Sequence, residues 1–317
     1  MRFFSFLVIF CLITFVSFSK DQKQNVSSYG SYLKGLLYAN KGEYRSALGE
    51  LEKAKIKDPD SIHIRLKLAT VLVRLNRADE AEAVLREAKK IDPNNLDLSL
   101  ALIFVYSYAG KNDEVESEYE TFLKKAHQLK PKDLSISEYL AQFYYYKKNP
   151  TEAIAIYEKI IELNPDYIEA FFWLGYLYEE VGNAQRAIEL WSDGLKLDPD
   201  FAPILNSLGY IYVEQGIKLG QAEELIRKAL EKEPENGAYL DSLGWVYFKK
   251  GDLKRAEKYL IKAISYIKDP EIYEHLGDLY IKLDDGKKGL DYYREGASNF
   301  PDAKNLKLKI KKYETED

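Results

Sequence analysis

Residues 239–263 read Y-L-D-S-L-G-W-V-Y-F-K-K-G-D-L-K-R-A-E-K-Y-L-I-K-A, and this stretch decides the fold of the chain. It predicts two short helices joined by a tight turn at Gly251, because glycine readily adopts the left-handed backbone that ends a helix. Gly244 in the first helix and Ala256 in the second are small. Two antiparallel helices approach closely only where their facing side chains are small, so the stretch predicts a packed helix pair.

The same pattern recurs about every 34 residues along the chain. Seven of the eight units carry Gly or Ala at both of two small-residue sites, which is the signature of stacked helix-turn-helix units. Eight of the ten prolines mark the period: Pro59, Pro93, Pro131, Pro165, Pro199, Pro234, Pro270 and Pro301. The predicted units are 28–61, 62–95, 96–133, 134–167, 168–201, 202–236, 237–269 and 270–303.

Residues 28–303 resemble the tetratricopeptide repeat family, and residues 239–263 match its pattern nearly position for position. The resemblance implies an all-α fold, a right-handed superhelical solenoid of about eight helix-turn-helix units. Residues 304–317 are expected to form a capping helix and tail, with Leu306 and Ile310 facing the array. The lysines between them are expected to be solvated, and a basic patch for an acidic partner or lipid head groups is the alternative.

The third unit, 96–133, departs from the pattern. Ile103, Val115 and Phe122 stand at its three small-residue positions, and about one helical turn is inserted around residues 124–129. Its two helices are therefore expected to lie farther apart than in the other units. The irregularity is either tolerated within one array or marks a boundary between an N-terminal and a C-terminal part, and we favour the first interpretation.

The first nineteen residues are predicted to be a cleavable secretory signal. Arg2 precedes an apolar run over residues 3–16, which is followed by the small-x-small ending Ser17-Phe18-Ser19. Cleavage is expected before Lys20, so the mature chain would begin there.

Residues 20–27 form a polar linker to the array. An uncleaved membrane anchor over residues 3–18 is the alternative, although the apolar run is shorter than the roughly 18 to 20 residues of a spanning helix. Only in that case would the chain contact a membrane. Cys11 follows the bulky Phe10, which disfavours lipidation, and its removal with the signal would leave no cysteine for disulfides or thiolate metal sites.

Composition and motifs favour a binding protein over an enzyme. The formal net charge is −5 and is spread along the chain, so the basic footprint of nucleic-acid binding is missing. His63, His127 and His275 lie in three different units without a second ligand at metal spacing. The sequence also lacks phosphate-binding loops and nucleophile elbows. We therefore predict no catalytic residue, no metal site and no cofactor.

The resemblance implies that the first helices of the units line a groove for a peptide, and the groove positions here carry aromatic and acidic side chains. The lysine and asparagine clamp with which one subgroup grips a C-terminal carboxylate is missing, and Glu138 and Asp241 would repel such a ligand. We expect a protein or peptide partner with apolar and basic residues, and no nucleic acid. The candidate partner-binding residues are Phe104, Tyr108, Glu138, Tyr145, Tyr146, Glu169, Phe172, Tyr176, Glu180, Tyr210, Glu214, Asp241, Trp245 and Phe248.

The segments Asn206-Ser-Leu-Gly-Tyr, Asp241-Ser-Leu-Gly-Trp and His275-Leu-Gly-Asp resemble exported bacterial tetratricopeptide proteins of unassigned role. The resemblance implies an exported scaffold or adaptor, in the periplasm or cell envelope, that takes part in complex assembly. The alternative is a structural spacer or oligomerising subunit that uses the array ends or the convex face. The sequence leaves the partner and the oligomeric state open.

Overall fold

The computed structural model describes residues 26–314, and the predicted signal with most of the linker lies outside them. The described range folds into seventeen α-helices, which confirms the all-α class. They are α1 (Val26–Asn40), α2 (Tyr44–Lys57), α3 (Ile62–Arg74), α4 (Ala78–Ile91), α5 (Leu96–Ala109), α6 (Asn112–Leu129), α7 (Leu134–Tyr146), α8 (Pro150–Leu163), α9 (Ile168–Glu180), α10 (Ala184–Leu197), α11 (Ala202–Glu214), α12 (Leu219–Lys232), α13 (Gly237–Lys250), α14 (Leu253–Tyr266), α15 (Pro270–Lys282), α16 (Gly286–Asn299) and α17 (Lys304–Glu314).

Seven first helices pack against the second helix that follows them: α1 on α2, α3 on α4, α7 on α8, α9 on α10, α11 on α12, α13 on α14 and α15 on α16. Small residues set the closeness of these pairs, as the sequence predicted. A Cβ atom added at Gly244 of α13 would lie 2.7 Å from Cγ of Leu260 in α14. Real Cβ atoms do not come this close to another carbon, so only a residue without a side chain allows this packing.

The turns inside the pairs use a left-handed residue. Gly251 between α13 and α14 has φ 80°, and four other glycines take the same place in other pairs. In the remaining pairs Asn76, Lys148 and Asp284 occupy this place with φ 61°, 54° and 64°. Asparagine and aspartate tolerate this backbone better than most residues, whereas Lys148 carries the strain of a longer side chain there.

The described chain groups into two compact units that part between Lys125 and Ala126, within α6. Unit 1 comprises residues 26–125, and its core is built around buried leucines such as Leu68 and Leu85. Unit 2 comprises residues 126–314 and has a more aromatic core, which includes the buried Trp191.

Helix α6 carries the extra residues of the third pair. It has 18 residues, whereas every other second helix has 14. The expected place of the insertion was wrong: Leu123 and Ala126 are buried, while Phe122 is only half-buried. Leu123 and Ala126 precede Pro131 by the same distances as the buried leucine and alanine of α2 precede Pro59. The added turn therefore lies before Leu123, and Ala126 is the small residue of this helix.

Helix α17 packs on the last pair through the buried Leu306, with Ile310 and Tyr313 beside it. One of its lysines, Lys309, is half-buried and ion-paired, contrary to the expectation that all of them are solvated. Nζ of Lys309 lies 2.6 and 2.7 Å from the two carboxylate oxygens of Asp278 and 3.5 Å from Glu274. An ion pair to α15 therefore holds this helix in addition to its apolar face.

Two glycines of the first pair make a matched test of close packing. A Cβ added at Gly35 would lie 2.7 Å from Cγ of the fully buried Leu51, whereas a Cβ at Gly49 would meet no atom within 4 Å. We expect Gly35→Ala to lower the free energy of unfolding by about 1 to 3 kcal/mol, because the neighbour cannot move freely. Gly49→Ala should raise it by about 0.5 to 1 kcal/mol, because alanine favours the helix. Urea unfolding measures both changes, and equal effects would contradict the packing argument.

Candidate functional site

The first helices of unit 2 line one face, which we call the inner face. Helix α9 contacts α11, α11 contacts α13, and α13 contacts α15. The hydroxyl of Tyr210 in α11 donates a hydrogen bond to Glu271 in α15, across the intervening α13. A single side chain can reach past a helix in this way only where the helices curve toward one another, so this face is concave.

Five aromatic side chains of α7 and α9 form a continuous row on the inner face, which we call the aromatic ladder. Neighbouring ring centroids lie 5.2 to 6.1 Å apart, at the separations that edge-to-face aromatic pairs prefer. The hydroxyls of Tyr145 and Tyr176 also lie 3.1 Å apart and share a hydrogen bond. Tyr146 is exposed and the other four are half-buried. The ladder consists of Tyr146, Tyr145, Tyr176, Trp173 and Phe172.

Trp173 was missed at the sequence level. It lies outside the positions that the family resemblance assigns to the groove, yet its ring lies 6.1 Å from Tyr176 and 6.4 Å from Tyr145. The run Phe171-Phe172-Trp173 was a usable signal, because three successive aromatic residues of a helix cannot all point into the core. Phe171 is buried and the next two rings reach the inner face.

A second cluster lies on α13 and α15 and is mostly buried. Nδ1 of His275 lies 3.0 Å from both carboxylate oxygens of Asp241. The ring of Trp245 stacks on His275 at 3.9 Å and on Phe248 at 4.4 Å. Its Nε1–H donates to Glu214 at 2.6 Å.

Burial corrects two of the predicted partner-binding residues. Asp241 is 5% exposed and Trp245 is 6% exposed, so neither presents enough surface to contact a ligand. The physical reason is α15, because its His275 stacks on Trp245 and hydrogen-bonds to Asp241. Position along a helix predicted which way these side chains point, and it did not predict that a neighbour covers them.

The carboxylates of Glu179, Glu214 and Glu271 come together beside these clusters. Burial and the charges of Glu271 and Glu214 raise the pKa of Glu179 above its ordinary value. Burial also raises the pKa of Glu271, although the hydrogen bond from Tyr210 and the neighbouring His275 act against the rise. Among the described residues, the side-chain carboxylate of Glu179 has no hydrogen bond or ion pair. A cation brought to this place would relieve the mutual repulsion of the carboxylates.

The other predicted residues fall into three groups. Glu138 accepts a hydrogen bond of 2.9 Å from Tyr167 and is partly used within unit 2. Glu169 is half-buried, and Glu180 is exposed. Phe104 and Tyr108 are exposed on α5 of unit 1 and so lie outside the inner face of unit 2.

Within residues 26–314, no group of three His, Cys, Asp or Glu side chains is arranged to hold a metal ion. None of the described helices combines the length and apolar character needed to cross a bilayer. What the inner face offers chemically is aromatic surface and negative charge, side by side.

Tetratricopeptide repeat models match the chain at residues 39–102, at 156–189, and at 140–167 and 238–270. All four matches fall on helix pairs described above. The chain contains tetratricopeptide repeats. This fold usually serves as a non-catalytic scaffold that binds other proteins.

Individual relatives add little beyond the fold. Human protein O-mannosyl-transferase TMTC1 is 28% identical over 148 residues, which are 44% of this tetratricopeptide chain and 16% of that protein. The thermophilic protein TTC0263 of Thermus thermophilus superposes with a TM-score of 0.52 at 21% identity, covering 57% of this chain and 98% of that one. A chain of the APC/C hetero-tetramer Cut9–Hcn1 superposes with a TM-score of 0.58 at 15% identity, covering 90% and 54%.

The pair of His275 and Asp241 predicts a pH dependence of the stability of unit 2. Burial alone would lower the pKa of His275, but Asp241, with Glu271 and Glu214, raises it above the ordinary value of a histidine. A group whose pKa is higher in the folded chain than in the unfolded chain contributes its full stabilisation below the unfolded pKa. This stabilisation is lost as the pH rises through the folded pKa. The free energy of unfolding should therefore fall as the pH rises above about 6.5.

Denaturation followed by tryptophan fluorescence measures this change, because all three tryptophans lie in unit 2. His275→Gln should remove the fall. His63→Gln, at an exposed histidine of unit 1, should leave it in place. A fall of the same size in His275→Gln would mean that another group causes it.

Proposed function

We propose that this protein is a scaffold or adaptor that binds a polypeptide segment along the inner face of unit 2. The segment carries apolar side chains and Lys or Arg. The aromatic ladder binds the apolar groups, and the carboxylates of α9, α11 and α15 attract the basic ones. The proposal includes no catalytic step, and it treats the buried pair of His275 and Asp241 as structural.

The observation that carries this proposal is the aromatic ladder next to an unpaired carboxylate. Tyrosine and tryptophan dominate the energetic centres of protein interfaces, because they bury much surface and lose little conformational freedom. An arginine guanidinium stacks on such rings and also pairs with carboxylates. Glu179 lies in α9, one helical turn beyond Tyr176, and has no partner among the described residues. A basic side chain over Tyr176 would be within reach of it.

Two of the candidate partner-binding residues are not proposed as anchors. Trp245 is enclosed, and Tyr210 is tied to Glu271, so neither is free to bind without breaking an internal contact. The anchors are the members of the aromatic ladder, which include Trp173 in place of the candidate partner-binding residue Trp245. As a precedent for the fold, Cut9 forms a hetero-tetramer with Hcn1.

We also propose that the chain is exported to the periplasm or cell envelope. Arg2, the apolar run over residues 3–16 and the small-x-small ending support this proposal. N-terminal sequencing of the protein from its native cells should give a chain that begins at Lys20. A membrane-bound protein that begins at Met1 would instead make residues 3–18 an anchor.

Peptide binding tests the inner face directly. We would expose the protein to immobilised twelve-residue peptides of varied aliphatic, aromatic, basic and acidic content. It should bind best to those that combine apolar residues with Arg or Lys. For the best of these, Trp173→Ala should weaken binding by about 2 kcal/mol, or about thirtyfold in the dissociation constant. Higher salt should weaken binding further, because the complementary charges are screened.

Tyr266→Ala is the matched control for this titration, because Tyr266 is an exposed aromatic residue on a second helix, away from the inner face. It should leave the affinity unchanged. Circular dichroism confirms that both variants fold. Unchanged affinity in a folded Trp173→Ala variant, or stronger binding of the protein to acidic peptides than to basic ones, would refute the proposed site.

A further inference from the structure

The first helices of the two units differ in the sign of their charge. Those of unit 1, which are α1, α3 and α5, contain four Lys or Arg and one Asp. Those of unit 2, which are α7, α9, α11, α13 and α15, contain nine Asp or Glu and three Lys. The basic segment that the inner face of unit 2 attracts is therefore not attracted to the first helices of unit 1.

Helix α5 of unit 1 carries three large apolar side chains in one exposed row. Leu100 is 48% exposed, Phe104 is 50% exposed and Tyr108 is 51% exposed. Residues four apart lie above one another on a helix, so the row extends over two turns, about 12 Å. Phe104 and Tyr108 are candidate partner-binding residues that the inner face of unit 2 does not include. The row is thus an apolar surface without a role in the function proposed above.

Two cations on α3 lie beside this row. Helix α3 contacts α5, and the hydroxyl of Tyr108 donates a hydrogen bond of 2.9 Å to Asn76, two residues after Arg74 at the end of α3. Lys67 and Arg74 are exposed and lie seven residues apart, on the same side of α3. Neither side chain has a hydrogen bond or ion pair among the described residues. Asp97, the one carboxylate of these three helices, lies in the first turn of α5, at the opposite end from Tyr108.

We propose that α3 and α5 form a second binding surface, for a polypeptide segment that carries apolar side chains and Asp or Glu. We call this surface the α3–α5 face. The row on α5 contacts the apolar groups, and the two cations pair with the carboxylates. Charge then decides which of the two units each segment binds, because the wrong segment would meet like charges. The five residues are Lys67, Arg74, Leu100, Phe104 and Tyr108.

Charge complementarity favours this occupant over two others. Residues 3–16 of the chain are mostly apolar and contain no acidic side chain, so they would leave Lys67 and Arg74 unpaired. The same face of a second copy would bring like charges together. A segment with Asp or Glu among apolar residues satisfies both the row and the cations.

Three labelled peptides test the α3–α5 face. They share their apolar residues and differ only in their remaining positions, which hold Glu, Gln or Lys, and both ends are blocked so that only side chains carry charge. Fluorescence anisotropy measures their dissociation constants on the full chain, in which residues 3–16 are present to compete. The Glu peptide should bind more tightly than the Gln peptide, and higher salt should reduce the difference. It should bind more weakly than the Lys peptide binds unit 2, because the α3–α5 face carries fewer charges.

Substitutions separate the two surfaces. Phe104→Ala should weaken binding of the Glu peptide about tenfold and leave the Lys peptide unaffected. Trp173→Ala should do the reverse, so failure of one site can be distinguished from failure of the other. Ile56→Ala is the matched control for Phe104→Ala, because Ile56 is a 77% exposed apolar residue on α2, a second helix of unit 1.

The cations have a matched control of their own. Arg74→Gln should weaken binding of the Glu peptide about threefold and should leave the Gln peptide unchanged. Arg45→Gln should change neither, because Arg45 is an exposed arginine on α2. Circular dichroism shows that each variant folds. A photoreactive benzophenone in the Glu peptide should attach to residues of α3 or α5, which mass spectrometry identifies.

Four results would overturn the inference. The first is a Glu peptide that binds no more tightly than the Gln peptide. The second is unchanged affinity for the Glu peptide in a folded Phe104→Ala variant. The third is binding that appears only when residues 1–19 are removed, since the chain's own segment would then occupy the face. The fourth is self-association of the chain that Phe104→Ala abolishes, which would assign the face to a second copy.

Discussion

Close approach of two helices at a residue with almost no side chain is the constraint on which the rest of this structure depends. At Gly244 the facing Leu260 fills the space that a Cβ would need. Repetition of this contact fixes the same distance within pair after pair, and the first helices of unit 2 then lie side by side. Without that regularity, aromatic rings from α7 and α9 could not form one row. The inner face is thus a consequence of packing at small residues on its far side.

The repeat period also appears in the bonds between side chains. Tyr145 and Tyr176 are 31 residues apart, Glu214 and Trp245 are 31 apart, and Asp241 and His275 are 34 apart. Each of these bonds joins one first helix to the next. A polar residue on the inner face therefore has two possible partners, the neighbouring repeat and a ligand. Where the neighbour offers a matching group, the residue stabilises the array; where it does not, as at Glu179, the residue remains available.

The fold could be predicted from the sequence because its determinants are local and periodic. Proline spacing, small residues and turn glycines each report on a few neighbouring residues, and the structure contains the predicted helix pairs. The site could be predicted only in part. The direction of a side chain follows from its position on a helix, so Tyr145 and Tyr176 were found, but the burial of Trp245 depends on a histidine thirty residues later. The inserted turn in α6 was misplaced because an added helical turn leaves no mark in composition.

The bond between Tyr210 and Glu271 has a mechanical consequence. It links α11 to α15 across the concave side, so it is a cross-link between two repeats that are not neighbours. Tension applied along unit 2 would stretch this hydrogen bond before the apolar contacts behind it begin to separate. The stretch from α11 to α15 therefore has a bond that opposes its extension, in addition to the bonds between adjacent helices. A solenoid built from nearly identical units can thus have an elasticity that varies along its length.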